Sequence, residues 1–253
     1  MNENIVNIKL LYKKYITIKN YGWVKSMRKG TTGIGYTFEE LLSKPEENFP
    51  IPDFNGIEIK TGRKCTRRDI HLFSSAPDGD YLFPVERILK YVGYPDKEFR
   101  NAKIFNMNFN AKKFKKIGIF KEGKIFVNWK EQKIDFIARK IENKKYFNID
   151  TSWSFKMLEE KLNLKLQYLA RIIADVKVID GIEYFNYQEI SFYKLKDFNT
   201  FINLIESGYI EINFNIGVFK SGPRIGKIHD RGVGFSINER NIDMLFDKIN
   251  LNF

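Results

Sequence analysis

The chain has 253 residues, and its 43% apolar and 15% aromatic content is enough to fill a sizeable core, which excludes an intrinsically disordered protein. Lys and Arg outnumber Asp and Glu by 43 to 31, a formal net charge of +12 that favours polyanionic partners without selecting one. The single cysteine, Cys65, excludes an intramolecular disulfide framework and a multi-cysteine zinc site, and fits a reducing compartment.

Of the basic residues, 32 are Lys in a chain also rich in Asn, Ile, Phe and Tyr, so most of the charge is a generic signal. The 11 arginines carry more information, and they gather at Arg63, Arg67 and Arg68 and again at Arg224 and Arg231. No apolar run approaches the roughly 18 residues of a spanning helix, and the N-terminus has no uninterrupted apolar signal region. A protein of the cytoplasm, without a membrane partner, is expected.

In chain order, residues 1–20 have the spacing of a helix, followed by a connection through Gly22 and Gly30. The segment Thr31-Thr32-Gly33-Ile34-Gly35 leads into a short helix predicted to begin at Thr37, because Thr37 and Glu40 match a capping box. Prolines between 45 and 52 end it. Asn55-Gly56 between apolar residues is the preferred centre of a two-residue type I′ hairpin. Strands are predicted at 57–61 and 71–73, and a helix at 85–92. Residues 105–129 read as strands with a hairpin turn at Glu122-Gly123. Helices are expected over about 154–174 and 197–206, and strands at 210–219 and 233–237. Phe105, Phe109 and Phe114 read as core rather than as stacking platforms. Strands and helices mix without a regular βαβ rhythm, which indicates a mixed α+β (α/β) fold.

The most informative segment is Pro52-Asp53-Phe54-Asn55-Gly56-Ile57-Glu58-Ile59-Lys60. A hairpin at Asn55-Gly56 sets Phe54 opposite Ile57 and Asp53 opposite Glu58. Opposed like charges destabilise a ladder, and a hard divalent cation with oxygen ligands explains why two carboxylates would be placed so. Strand alternation sends Glu58 and Lys60 to one face and Ile57 and Ile59 to the other. Asp53, Glu58 and Lys60 are thereby expected to converge on an open site. Such a set suits Mg²⁺-assisted phosphodiester hydrolysis, with Lys60 orienting water and steadying charge on the phosphate.

Gly33-Ile-Gly-Tyr-Thr-Phe-Glu-Glu-Leu-Leu42 followed by Pro52-Asp-Phe-Asn-Gly-Ile-Glu-Ile-Lys-Thr61 resembles the MvaI/BcnI type II restriction endonucleases. More distantly it is similar to the MutH-like mismatch-repair nicking endonucleases. The likeness continues at His71-Leu72-Phe73 and returns at His229-Asp230-Arg231-Gly232-Val233-Gly234-Phe235, and leaves 95–215 unmatched. It implies a P-D-(D/E)-x-K nuclease core, a central mixed sheet flanked by helices, with a DNA-recognition subdomain. It also implies one endonuclease unit over 1–253, with a catalytic lobe at about 1–95 plus interleaved segments and a recognition lobe at about 150–253. Asp53, Glu58 and Lys60 fall on the family's metal-binding and catalytic residues, Asp53 and Glu58 being the metal ligands. Glu39 falls where the MutH-like group has a further acidic residue. The implied cofactor is Mg²⁺, with Mn²⁺ as substitute.

Lys220 to Gly234 packs four cations, a histidine and glycines into one short stretch. Arg can grip guanine O6 and N7 bidentately and Asp can accept from cytosine N4, so Arg224, Lys227, His229, Asp230 and Arg231 are candidate DNA contacts. The family pattern commonly has His-Gly after the Asp, where this chain has Arg231-Gly232. Arg63, Arg67 and Arg68 follow the catalytic strand and suit phosphate contact, and the resemblance places His71 near DNA as well. The expected activity is that of a type II restriction endonuclease hydrolysing double-stranded DNA at a short site, as a monomer paired with a methyltransferase of the same specificity. The alternatives are a MutH-like nicking enzyme and a non-catalytic DNA-binding module.

Overall fold

The computed structural model describes residues 3–42, 52–64, 69–79 and 82–251. The chain begins with α1 (Glu3–Asn20), β1 (Val24–Lys25), α2 (Gly33–Leu41), β2 (Ile57–Arg63), β3 (Asp69–Ser74), α3 (Leu82–Tyr91) and β4 (Tyr94–Pro95). The middle holds β5 (Lys103–Phe109), β6 (Lys115–Ile117), β7 (Lys121–Asn128), β8 (Lys133–Lys140), β9 (Ser152–Ser154) and α4 (Phe155–Lys165). Then follow β10 (Tyr168–Ile179), β11 (Ile182–Leu195), α5 (Phe198–Glu206), β12 (Ile210–Val218), β13 (Ile228–Asn238), α6 (Ile242–Leu245) and β14 (Phe246–Ile249). Among the described residues no helix is long and apolar enough to cross a membrane.

The chain forms two compact units, each discontinuous in sequence: residues 1–68, 161–196 and 242–253 make the first, and 69–160 with 197–241 the second. This is a division by contacts, whereas the catalytic lobe expected at about 1–95 plus interleaved segments and the recognition lobe expected at about 150–253 are divisions by function. The first unit is completed by segments from the second half of the chain that pair with its sheet.

In the first unit the sheet order is β1-β11-β10-β2, with β14 also paired to β11. β2 and β10 run parallel, with Ile57 beside Tyr168 and Lys60 beside Arg171, while the other pairs are antiparallel. α1 lays a stripe of Ile8, Leu11, Tyr15 and Ile18 on this sheet, and Ile34 and Phe38 of α2 join the same core as Ile57, Ile59, Ala170, Ile172, Phe185 and Tyr187. The stripe has helical spacing, so burial of one face supplies most of the stability of α1.

Two expectations change here. The second helix begins at Gly33, not Thr37, with Thr32 as its cap and no side-chain capping bond. Thr37 is buried within the helix, and its Oγ1 accepts from the Met27 amide at 3.0 Å, so the residue pins the preceding loop. The helix expected over 154–174 stops at Lys165, and Tyr168–Ile179 is instead the central strand of the sheet. Its Ile- and Val-rich run fits a strand buried between two neighbours, and the parallel partner that decides the matter lies over a hundred residues earlier.

The second unit packs two sheets, β3-β13-β12-β5-β4 and β6-β7-β8-β9. Phe105, Phe109, Phe214 and Phe235 of the first meet Phe136 and Trp153 of the second, with centroids 4.9 Å apart for Phe109 and Phe136 and 4.7 Å for Phe136 and Phe214. Phe105 and Phe109 are therefore core, whereas Phe114 is half-buried under the Arg139 guanidinium at 3.7 Å. The hairpin turn lies at Gly118–Phe120, where Gly118 has φ +63°, rather than at Glu122-Gly123. Gly123 sits inside β7 because a Cβ there would come within 3.0 Å of the Phe136 ring.

Candidate active site and nucleic-acid contacts

The turn that carries the acidic residues forms as its sequence demands. Asn55 and Gly56 have φ of 42° and 84°, both positive as a type I′ turn requires. Phe54 and Ile57 exchange both backbone hydrogen bonds, at 2.9 and 2.8 Å. The antiparallel pairing ends there. Asp53 does not continue a ladder opposite Glu58: its Oδ2 accepts from the Ile59 amide at 2.8 Å, and β2 pairs with β10 instead. The carboxylate is thus anchored by backbone beside the strand that carries Glu58.

Glu58 lies deeper than strand alternation suggests, at 1% exposure. Its Oε1 accepts from Lys60 Nζ at 2.6 Å, and Lys165 Nζ, from the last turn of α4, stands 3.6 Å from the same oxygen. Its Oε2 is buried with no hydrogen-bond partner among the described residues. Burial pushes the Glu58 carboxyl above the usual carboxylate range and Asp53 raises it further, while Lys60 and Lys165 pull it down without reversing the shift. An orphaned, partly uncompensated carboxylate oxygen beside a second carboxylate is costly unless a cation completes it.

That orphaned oxygen is the test of whether a divalent cation fits. Among the described residues no group of three or more His, Cys, Asp or Glu could hold a metal ion. Mg²⁺ needs no such cage: one or two carboxylates, with water and substrate phosphate, make up its octahedron. Asp53 and Glu58 are therefore a suitable pair.

Sequence reading missed two neighbours, Lys165 and Arg171. Arg171 sits opposite Lys60 in the β2–β10 register, is 8% exposed, and donates from Nη1 to the Lys60 carbonyl at 3.2 Å. Gly62 makes room for it, since a Cβ there would fall 2.1 Å from Arg171 Nη2. The available signal was a scarce arginine inside the apolar run Leu169–Ile173. Lys165 gave none, being one lysine among 32.

Glu39 is half-buried on α2, on the side that packs against β2: a Cβ at Gly35 would lie 3.3 Å from Thr61 Oγ1 and 3.7 Å from Glu39 Oε1. Tyr187 fixes this helix, donating its hydroxyl to the Ile34 carbonyl at 2.8 Å and meeting Phe38 edge-on at 5.0 Å. Burial and then Glu39 hold the Tyr187 phenol well above its ordinary range. Arg63 is engaged within the protein, donating to both Glu183 carboxylate oxygens at 2.8 and 3.0 Å and to the Thr31 carbonyl at 3.2 Å. Arg67 and Arg68, with Cys65 and most of the proline-rich segment, lie outside the described residues.

The second unit holds the remaining candidates. His229, Asp230 and Arg231 are on β13 rather than in a loop, and Lys220–Lys227 form the connection from β12. That connection is tied at both ends, Phe219 N to Lys227 O at 3.0 Å and Gly226 N to Phe219 O at 2.8 Å. The Phe219 ring stacks on the His229 imidazole, 3.9 Å between centroids and 7° from parallel, and the Arg224 guanidinium lies 4.1 Å from the same ring. Asp230 Oδ1 accepts from the Gly232 amide at 2.8 Å, a turn made possible by Gly232 at φ +86°. Arg231 lies against Gly217, and Lys227 is exposed. His71 on β3 is exposed, packs its ring on Gly234 and shares a 3.1 Å hydrogen bond with Ser74. Lys220 is committed elsewhere, 2.6 Å from Asp96, whose carboxyl it holds down at about 2.

Comparison with known proteins agrees with this geometry. A family model described as the MvaI/BcnI restriction endonuclease family matches residues 12–246. A solved complex of restriction endonuclease MvaI with cognate DNA is similar to this chain at 28% identity over 98% of both chains, with a TM-score of 0.89. MvaI without DNA is similar at 27% identity over 98% of both chains, with a TM-score of 0.62. No curated protein sequence matches. The chain belongs to the MvaI/BcnI restriction endonuclease family and is a site-specific deoxyribonuclease.

Proposed function

We propose that this protein is a Mg²⁺-dependent type II endonuclease that hydrolyses phosphodiester bonds of double-stranded DNA at a short site. The observation that carries this reading is the buried Glu58 carboxylate, with one oxygen on Lys60 and the other unpartnered, beside the anchored Asp53. Asp53 and Glu58 would hold the ion, with Mn²⁺ as a substitute, and the bound ion supplies Lewis acidity to phosphate and water.

The chain's own residues do the rest. Glu58 positions the Lys60 ammonium at 2.6 Å, and Arg171 fixes the Lys60 backbone, so the cation faces the site in one place. A fixed ammonium favours charge that grows on the phosphate during attack and costs no reorganisation when it does. Glu39, on the helix packed against β2, is a further carboxylate able to order water or a second ion. The similar MvaI structure, a complex with cognate DNA, supports double-stranded DNA as substrate. Arg224, Lys227, His229, Asp230 and Arg231, with His71, form the base-reading and phosphate-contacting set of the second unit, and Arg63, Arg67 and Arg68 serve the first. A DNA methyltransferase acting on the same site is the expected partner in the cell, and a single chain is the expected working form.

The test is digestion of a sequenced plasmid with Mg²⁺, followed by sequencing of the fragment ends. Discrete fragments sharing one short sequence at every end are expected. Uniform degradation would remove site specificity, and nicked circles alone would favour the MutH-like alternative.

A further inference from the structure

We infer that a concave surface of the first unit, lined by Lys25, Ser26, Arg28, Lys29, Thr31 and Arg63, is a docking groove for the DNA phosphodiester backbone beyond the scissile bond. The inference rests on the endonuclease reading above and adds a site to it. The groove encloses about 760 Å³.

Its shape is built in rather than left to a loose loop. Lys25 pairs with Tyr184 on β11, and the Ser26 amide donates to the Glu183 carbonyl at 2.8 Å. Ser26 Oγ donates to the Arg28 carbonyl at 2.7 Å, and the Met27 amide donates to Thr37. Arg63 ties Thr31 from the other side, and the Arg28 guanidinium lies 3.7 Å from the Tyr36 ring centroid. A Cβ on Gly33 would strike the Arg28 carbonyl oxygen, so the segment packs directly on the start of α2.

Its charge suits a polyanion. Glu183 is the acidic residue of the lining, and both of its oxygens are taken by Arg63. What the groove offers an incoming ligand is the exposed Lys25 and Lys29, with Arg28 behind them. Several cations along one concave wall grip a phosphate chain, giving affinity and register without reading bases.

Arg63 stands at the end of β2, three residues beyond Lys60, about 10 Å at the rise of a strand, and strand alternation sends its side chain to the face opposite that of Glu58 and Lys60. The groove is therefore set apart from the carboxylates along and across β2, and the phosphates it holds flank the cut.

Binding of a defined duplex with Ca²⁺ in place of Mg²⁺ tests the proposal, comparing wild type with the double variant Lys25→Gln, Lys29→Gln across salt concentrations. Loss of two phosphate contacts lowers the slope of log affinity against log salt by about 1.8. Wild-type affinity then falls about 12-fold more than the variant's between 50 and 200 mM salt, equally for the cognate and a scrambled duplex. An unchanged slope, or a loss confined to one sequence, overturns the groove. A second measurement needs no variant: wild type is bound to duplexes carrying a single neutral methylphosphonate, scanned outward from the cut. Weakened binding is expected at a discrete flanking position, and insensitivity at every flanking position refutes it. Failure of wild type to cut any DNA with Mg²⁺ would instead remove the endonuclease reading.

Discussion

Replacing Lys60 by Ala separates what that ammonium does for the fold from what it does for chemistry. Wild-type Glu58 keeps one charged hydrogen bond to Lys60 at 2.6 Å, with Lys165 1.0 Å farther away, at 3.6 Å. A hydrogen bond to a charged group contributes about 1.5–3 kcal/mol. Because the Lys60 side chain is 21% exposed, water replaces part of it in the variant, and the lower end applies, about 1.5 kcal/mol. For a chain of this size that lowers Tm by about 3–6 °C.

The loss depends on pH in a defined direction. Burial already raises the Glu58 carboxyl in the folded state, so its ionised form is disfavoured by folding, and stability falls as pH rises through the raised folded value. Without Lys60 the folded value rises further. At low pH Glu58 is neutral in both proteins and their Tm values converge; the gap opens as pH climbs through and above the carboxylate range. Calorimetry of the metal-free proteins from pH 4.5 to 8.5 measures it, beside plasmid cleavage with Mg²⁺ at pH 8. Cleavage falls at least about 10²–10³-fold, the effect of removing one preorganised donor to developing charge. A Tm gap constant across this range would refute the buried-carboxylate reasoning, and undiminished cleavage would refute the role of Lys60.

Glu58→Gln keeps the shape but removes the charge, so it abolishes cleavage while the metal-free protein melts higher than wild type at pH 8; a lower Tm would show that the carboxylate is not held at a cost. Gly33→Ala places a Cβ 2.4 Å from the Arg28 carbonyl oxygen, a backbone atom that cannot swing aside. Overpacking of this kind costs about 1–3 kcal/mol, which thermal melts of the variant read as a Tm lower by about 2–12 °C. Phe219→Ala removes the ring against which Arg224 and His229 pack. Discrimination between the cognate site and sites with one altered base pair then falls by about 5–30-fold, corresponding to about 1–2 kcal/mol of lost preorganisation, whereas Phe219→Tyr preserves it. Competitive cleavage of mixed duplexes decides between the two outcomes.

The acidic hairpin was legible because its determinants are local. Asn55-Gly56 favours one turn whatever surrounds it, and that turn necessarily brings Asp53 near the strand bearing Glu58 and Lys60. The helical spacing of α1 is likewise a property of a few neighbouring residues. Errors fell where a distant partner overrides a local preference. Thr37 looks like a cap until the Met27 amide claims its hydroxyl, and Gly123 looks like a turn until Phe136 occupies the space above it.

What the sequence by itself determined is the chemistry available to the proposed site: two carboxylates and a lysine that the Asn55-Gly56 turn brings close, and scarce arginines set in glycine-bearing segments. What only the tertiary structure decided is the environment of that chemistry. Residues 168–179 lie beside β2 by parallel pairing across more than a hundred residues, and this contact buries Glu58, seats Arg171 behind Lys60 and brings Lys165 to the carboxylate. Burial and long-range pairing depend on the whole chain, so no local pattern encodes them. They nonetheless decide which oxygen is left without a partner.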